Sequence, residues 1–267
     1  LWQFDGWSEL GHSGGIYIYD DSRSYTPWGH TRPDYGRGEV RQFLRDNALF
    51  WLEEFQLDGL RFDATAYMRT VDGFSNPLPD GWGLMQWINR EVNERQSWKA
   101  MIAEDLREEE WVSKPESSGG AGFDSQWSAK FSQAVRHAIV TSQDKDRNMY
   151  QVADAIGQRF NGDPLQRIIY TESHDEVANG KARIAEEIWP NYPDSWFSKK
   201  RSTLGAAVTL TSPGIPMLFQ GQEFLEDRWF ADTDPLDWSR CERYAGIVKL
   251  YRDLIRLRRN WFDNTRG

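Results

Sequence analysis

Apolar residues follow two patterns along the chain, and the two patterns alternate. One is helical spacing, in which an apolar residue returns every three or four positions. It predicts helices over residues 39–57, from residue 81 onward, over 128–142, 149–160 and 198–211, and over 244–255. The other is a short continuous apolar run, which predicts a buried strand. Such runs occupy residues 60–64, 100–103, 122–127, 167–171 and 215–219.

The alternation of strands with helices predicts the fold class. Strands separated by helices form βαβ crossovers, so we expect an α/β fold whose parallel sheet is either doubly wound or closed as a barrel. Asp63, Glu104 and Asp175 each stand at the C-terminal end of a predicted strand. A barrel gathers its catalytic groups from several strand ends, whereas an open sheet binds ligands at one crevice. The sequence therefore predicts a TIM-type barrel in a single domain over residues 1–267, with a loop-rich segment over residues 1–38.

Arg61 and Asp63 are two positions apart in the run at residues 60–64, so both side chains project to one face of the predicted strand. A buried strand rarely places two opposite charges on one face. This pattern alone leaves two interpretations open, a structural ion pair at the strand end and a functional site.

Carboxylates that converge from several strand ends serve three chemistries: metal-assisted enolisation, metal-assisted phosphoryl or hydrolytic transfer, and glycosyl transfer. A metal site needs further ligands at close spacing, and no metal site is predicted here. Arg61 repels a cation and keeps a neighbouring carboxylate ionised, as a nucleophile must be. Glu104 follows an apolar run, and apolar surroundings favour the protonated form that a general acid needs. The pattern favours the carboxylate pair of a retaining glycosidase or transglycosylase.

Composition narrows the choice of partners. The net charge of −9 argues against nucleic acid and anionic membranes, which need clustered Lys and Arg, and no apolar run reaches the length of a membrane span. The 14 tryptophans favour a carbohydrate ligand; Trp111 and Trp127 follow strand ends, where stacking on glucose and packing both remain open. The acidic run of Asp105 and residues 108–110 is expected to be a solvated loop edge. The single cysteine, Cys241, forms no internal disulfide and favours a reducing compartment, which predicts a cytoplasmic location.

Three segments resemble conserved motifs of the α-amylase superfamily, glycoside hydrolase family thirteen: residues 58–63 (DGLRFD), 103–105 (AED) and 172–176 (ESHDE). Their order, spacing and placement at strand ends agree with that family over essentially the whole chain. The resemblance implies a (β/α)8 barrel and a retaining mechanism that needs no cofactor, and the sequence gives no support for calcium. It implies the following roles: Asp63 as nucleophile, Glu104 as acid/base, Asp175 as the residue that steadies the distorted sugar, and Arg61, His174 and Glu176 as substrate contacts.

A finer resemblance is to the 1,4-α-glucan branching enzymes. It rests on residues 1–6 (LWQFDG), 35–40 (YGRGEV), 174–177 (HDEV) with Gly180-Lys181, 219–224 (FQGQEF) and 235–238 (PLDW). It implies a transglycosylase of carbohydrate metabolism and glycogen biosynthesis, which cleaves α-1,4 bonds and forms α-1,6 branches in glycogen- or starch-type glucans. Two alternatives stay open: an α-amylase-type hydrolase of α-1,4-glucans, and a non-catalytic glucan-binding fragment.

The sequence departs from the family pattern at its start. The motif that ends the third barrel strand, which supplies an Asp, an Asn and a His, is absent, and the five predicted strands correspond to the fourth to eighth of a barrel. We therefore expect a fragment of a longer protein, without the first three βα units and the C-terminal β domain. Every strand of a closed barrel is hydrogen-bonded on both sides. The strands at residues 60–63 and 215–219 are thus expected to leave open edges, and the isolated chain to be marginally stable, aggregation-prone and inactive.

Overall fold

The computed structural model describes residues 16–263 and residue 265. The chain divides into two compact units, Leu1–Trp127 and Ser128–Gly267, which we call the first and the second unit. The single domain over residues 1–267 and the open strand edges stay predictions. Residues 1–15, which carry the branching-enzyme motif at residues 1–6, lie outside the described part of the chain.

The sheet of the first unit consists of parallel strands. A short antiparallel hairpin precedes it, in which β1 (Tyr25–Thr26) pairs with β2 (Gly29–His30). The parallel strands are β3 (Gly59–Phe62), β4 (Ala100–Ala103) and β5 (Ser125–Trp127), and β4 pairs with both of the others.

Glycine at position 59 permits the close approach of β3 to β4. A Cβ at this position would lie 2.2 Å from the carbonyl oxygen of Ala100, far inside a normal contact distance. The register that results pairs Gly59 with Ala100 and continues to Phe62 with Ala103. In this register the C-terminal ends of both strands lie side by side.

Helices of the first unit pack against that sheet. They are α1 (Gly38–Glu53), α2 (Thr65–Arg69), α3 (Pro79–Gln96) and α4 (Glu110–Ser113). Proline at the first position of α3 suits a helix start, because its missing N–H would have no partner there. The buried cluster of this unit contains Leu49, Leu52, Leu84, Ile88, Val92 and Met101. Apolar residues at helical spacing on α1 and α3 thus pack against the apolar run of β4.

The second unit contains the remaining helices and a pair of short parallel strands. In chain order its elements are α5 (Ala129–Val140), α6 (Met149–Gly157), β6 (Arg167–Ile169), α7 (His174–Val177), α8 (Ile184–Ile188), α9 (Trp196–Thr211), β7 (Ile215–Pro216), α10 (Arg240–Arg243) and α11 (Ala245–Arg258). Strands β6 and β7 pair through Ile168 with Ile215. Serine side chains cap two of the helices: Ser128 accepts the amide of Phe131 at the start of α5, and Ser195 accepts that of Ser198 at the start of α9.

The predicted helices and strands are confirmed as elements, with changed limits. The strand predicted over residues 60–64 is Gly59–Phe62, and the strand predicted over 215–219 has only two residues. Five helices of four or five residues, α2, α4, α7, α8 and α10, occupy segments for which no helix was predicted. Short 3-10 turns lie at Ser22–Ser24, Glu116–Ser118, Asp144–Asp146, Pro164–Gln166 and Gln222–Phe224.

Candidate active site

The register of β3 on β4 places Asp63 beside Glu104. Phe62 pairs with Ala103 at the ends of the two strands. Asp63 and Glu104 are the residues that directly follow this pair. The amide of Glu104 donates to the carbonyl oxygen of Phe62 at 2.9 Å, and the amide of Thr65 donates to the carbonyl oxygen of Glu104 at 2.9 Å. The backbone on both sides of Asp63 is therefore bonded to Glu104. The two residues therefore stand at neighbouring strand ends, where the backbones are about 4.8 Å apart.

The guanidinium of Arg61 contacts both carboxylates. Its Nη1 donates to Oδ1 of Asp63, and its Nη2 lies 3.6 Å from Oε2 of Glu104. Asp63 lies one residue beyond the end of β3, so the two side chains meet at the end of the strand, and a shared strand face stays a prediction. Behind the guanidinium lies the ring of Trp127, whose centroid is 4.5 Å from Cζ.

The two carboxylates differ in exposure and in their partners. The Asp63 side chain is 75% exposed, whereas that of Glu104 is only 10% exposed. The amide of Ala64 donates to Oε2 of Glu104 at 2.6 Å. Ala64 reaches this position in the left-handed region, with φ 46° and ψ 45°, a conformation that L-residues other than glycine rarely adopt. The chain therefore turns sharply after Asp63, and the turn directs an N–H at the second carboxylate.

Asp105 ties α2 to the end of β4, and here the sequence prediction was wrong. The residue was expected on a solvated loop edge, yet its side chain is fully buried. Its two oxygens accept from Nε and Nη2 of Arg69, each at 2.9 Å, and Oδ2 also accepts from the hydroxyl of Thr65 at 3.0 Å. A buried carboxylate with a bidentate guanidinium is paired, which is the condition for burying it. Arg69 lies 36 residues earlier in the chain, so no local pattern shows the pairing.

In the second unit, His174 and Asp175 stand at the start of α7, beyond the end of β6. Nε2 of His174 lies 3.4 Å from Oδ2 of Asp175, and both side chains are exposed. Lys181 donates to the carbonyl oxygen of Asp175 at 2.8 Å, which fixes the backbone there. That Asp175 faces the same space as Asp63 and Glu104 stays a prediction.

The other two carboxylates of the 172–176 motif point into the second unit. Glu176 accepts from the hydroxyl of Ser132 at 2.6 Å, and burial raises the pKa of its carboxyl group. Glu172 is buried, forms an ion pair with Arg183 at 3.0 Å and accepts the amide of Ile184 at 2.7 Å. Glu176 therefore makes internal contacts, and its predicted role as a substrate contact stays untested. The sequence reasoning assigned no role to Glu172, whose only signal is its position as the first residue of the 172–176 motif, directly after an apolar run.

The two candidate tryptophans differ in environment. Trp127 is buried, and the Arg61 guanidinium lies over its ring. Trp111 is 49% exposed, with Nζ of Lys114 at 4.0 Å from its ring centroid. Trp111 thus has the exposed ring surface that stacking on a sugar requires, and Trp127 supports Arg61.

Metal-binding clusters and membrane-spanning helices are both absent from the described residues. Within residues 16–263 and 265, no three His, Cys, Asp or Glu side chains are grouped so as to hold a metal ion. In the same part of the chain, no helix has both the length and the apolar character needed to cross a membrane.

By sequence, the chain is similar to bacterial branching enzymes. The chain is 30% identical to the 1,4-alpha-glucan branching enzyme GlgB of Methylococcus capsulatus (strain Bath), over 91% of this chain and 34% of the relative. It is 32% identical to the enzyme of the same name from Rhodopseudomonas palustris (strain BisB5), over 94% of this chain and 37% of the relative. The chain thus spans about a third of the length of these relatives. No family model matches it.

Comparison by structure gives the same fold. A candidate alpha amylase from Salmonella typhimurium superposes with a TM-score of 0.70 at 20% identity, over 92% of this chain and 50% of that one. The pullulanase of Anoxybacillus sp. LM18-11 in complex with maltotriose superposes with a TM-score of 0.63 at 22% identity, over 88% and 36%. These likenesses confirm the α/β, TIM-type fold class, of which the chain carries a part. The sequence comparison confirms the resemblance to branching enzymes.

Proposed function

We propose that this chain, related over nine-tenths of its length to 1,4-α-glucan branching enzymes, carries the carboxylate pair of a retaining α-glucan transglycosylase. The substrate would be an α-glucan in which an α-1,4 bond is cut and an α-1,6 branch is made. The relatives carry this activity in their name, and the similar pullulanase was crystallised with maltotriose and maltotetraose.

One observation supports the proposal above the others: Asp63 and Glu104 share the Arg61 guanidinium at the ends of two paired strands. A shared guanidinium favours the short separation of a retaining pair over the roughly 6.5–9.5 Å of an inverting pair. The exposed carboxylate of Asp63 is accessible to an anomeric carbon, and the carboxylate of Glu104 is largely withdrawn from water.

In the first step, an oxygen of Asp63 attacks the anomeric carbon and the bond to the leaving glucan breaks. Glu104 gives its proton to the leaving oxygen, so a free chain end departs and a glycosyl-enzyme ester remains. Oε2 of Glu104 accepts the Ala64 amide and faces Arg61, which orients the carboxyl group beside Asp63. The guanidinium of Arg61 contacts the Asp63 carboxylate directly and holds it at the end of β3.

In the second step, Glu104 as carboxylate takes the proton from a 6-hydroxyl of an acceptor glucan. The acceptor oxygen attacks the anomeric carbon, the ester breaks, and Asp63 and protonated Glu104 are restored. Asp175 and His174 have the proposed roles of steadying the distorted ring and contacting the substrate.

The test is Asp63→Asn in the protein as the cell makes it. We expect the rate of α-1,6 bond formation from amylose to fall by about four orders of magnitude or more, as when a nucleophile is removed. Folding should persist, because the side chain is exposed. The matched control is Asp46→Asn, which changes a half-exposed carboxylate on α1 and should keep full activity. Turnover of Asp63→Asn near that of the control would exclude Asp63 as the nucleophile.

Hydrolysis by water at the same ester is the second candidate, and the exposure of Asp63 favours it. The products separate the two. Amylose is incubated with the protein, and α-1,6 linkages and reducing ends are counted. Branching predicts linkages without a matching rise in reducing ends, and reducing ends alone would assign the protein as a hydrolase.

A further inference from the structure

A concave pocket of about 520 Å³ lies in the first unit. Three segments build it: the loop after α2, the first turns of α3, and the segment around α4. Helices α2 and α4 follow β3 and β4 in the chain, and Arg69 in the pocket lining bonds to Asp105, the residue next to Glu104. Neither Asp63 nor Glu104 lines it, and Arg61 does not line it either.

Aromatic rings dominate the lining of the pocket. Phe74 is 65% exposed and Trp111 is 49% exposed, and Trp82 on α3 is half-buried. Arg107 lies over one face of Phe74, with Cζ 3.7 Å from the centroid, and Lys114 lies over one face of Trp111. Each cation covers only one of the two faces of its ring. What distinguishes these two rings from other exposed rings of the chain is that both line the same concave pocket.

The polar groups of the pocket suit an uncharged ligand. The guanidinium of Arg69 is engaged on two of its nitrogens by the buried carboxylate of Asp105, so its charge is compensated within the fold. Gln86 donates one amide hydrogen to the carbonyl oxygen of Gly120, and Glu109 is an exposed acceptor. Flat apolar faces with a few hydrogen-bonding groups match a pyranose ring, which presents C–H groups on its faces and hydroxyls at its edge.

We propose that this pocket is a second α-glucan-binding site, separate from the carboxylate pair, which takes two or three glucose units of a maltooligosaccharide. The inference rests on the proposed function for the class of ligand. It deepens that function, because a chain held in the pocket has a raised effective concentration near Asp63 and Glu104. The site would therefore select long glucans over short ones.

The test is equilibrium binding of maltoheptaose to the protein that carries Asp63→Asn, which prevents turnover. Calorimetry gives the number of binding events, and the part of the ligand-induced change in tryptophan fluorescence that is lost with Trp111 reports ligand at the pocket. The pocket variant adds Trp111→Ala and Phe74→Ala to the same background. We expect it to lose one binding event, or to bind there at least about tenfold more weakly. The control is Trp98→Ala, since this indole is 73% exposed and lies outside the pocket; it should bind as the parent does.

Each result of this binding experiment either supports or overturns the second binding site. Both changed residues are exposed, so folding should persist, and Phe74→Ala alone serves as the second variant if the double change alters the far-UV spectrum or the melting temperature. Equal binding by pocket variant and parent would overturn the inference, and so would an absence of binding to the parent at millimolar maltoheptaose. A protein that binds in the pocket yet forms no α-1,6 linkages would overturn the proposed function alone.

Discussion

Ala64 is a single residue on which the geometry of the carboxylate pair depends. Its left-handed backbone directs the amide at Glu104, and for an L-residue this conformation costs about 1 kcal/mol or more. Glycine adopts it freely. The strain is thus located between the two residues that the proposed reaction uses.

The first prediction follows from that strain. Ala64→Gly should raise the free energy of unfolding by roughly 0.5–1 kcal/mol, because the amide contact is kept and the strain is removed. Ala66→Gly is the matched control: Ala66 is buried inside α2, where the same change should lower stability by about 1 kcal/mol or more. Urea unfolding of both variants measures the sign. A loss of stability in Ala64→Gly would show that the left-handed turn is not strained.

Glu176 gives a second prediction, on pH. Burial raises the pKa of its carboxyl group above the ordinary 4.5; Glu172 raises it further, whereas Ser132, Arg136 and Lys181 lower it. The folded protein therefore holds this proton at a pH where the unfolded chain has released it. The stabilising contribution is full below pH 4.5 and is lost as the pH rises through the raised pKa.

Glu176→Gln should remove the loss of stability that accompanies the rise in pH. Its amide oxygen can still accept from Ser132, and it stays neutral at every pH. We expect the melting temperature of the variant, relative to the parent, to rise between pH 4.5 and pH 7. The variant Glu242→Gln, in the same unit and exposed, should show no such rise. A difference between Glu176→Gln and parent that is the same at both pH values would contradict the prediction.

The carboxylates of the site show which residue properties can be predicted from the sequence and which cannot. Asp63 and Glu104 were predicted because each follows an apolar run, and strand register brings them together. Asp105 and Glu172 were not predicted as buried, because their partners are Arg69 and Arg183. Nothing in the local pattern distinguishes a buried, paired carboxylate from a solvated one.

Among the elements, α2 depends on a contact with the end of β4. Asp105 accepts three hydrogen bonds from this helix, two from Arg69 and one from Thr65. Five residues form too short a helix to be stable by propensity, so tertiary contacts must hold it. The buried ion pair therefore positions α2 over Glu104.

The third prediction tests that contact. Asp105→Asn should lower the free energy of unfolding by about 3–5 kcal/mol, since it leaves the buried Arg69 charge without its partner. Arg69→Met with Asp105→Leu should recover a large part of the loss, because both charges are then removed. The exposed pair Arg95 and Glu53 is the control, and Glu53→Gln should cost less than about 1 kcal/mol. Equal losses at both pairs would contradict a structural role of Asp105.

The elements also show which patterns carry information. Helices of twelve or more residues, such as α1, α3 and α11, were predicted because several turns repeat the same apolar face. A helix of one turn, such as α4 or α7, shows no period and escapes detection. Strands are shorter than their apolar runs because the residues after the last paired position turn into loops, as Asp63 and Ala64 do.

For the molecule as a whole, net charge opposes self-association, whereas exposed aromatic surface favours it. The net charge of −9 at pH 7 keeps copies apart. On α1 and just beyond it, Phe50, Trp51 and Phe55 are exposed and contact one another, with ring centroids 4.7 Å apart between Trp51 and Phe55. A contiguous exposed aromatic cluster is a surface for association. Self-association should therefore appear at a pH where the net charge is small and copies of the chain no longer repel one another.

The last prediction is that the isolated chain self-associates as the pH falls toward its pI of about 5.1. At pH 8 the net negative charge opposes contact, and near pH 5.1 the aromatic cluster is no longer opposed. Sedimentation velocity at both pH values measures the shift to larger species. Trp51→Gln with Phe55→Gln should reduce it, whereas Tyr150→Gln, which changes a 90% exposed ring on α6, should leave it unchanged. A parent chain that stays monomeric at pH 5.1, or a cluster variant that associates like the parent, would show that this aromatic surface does not drive the association.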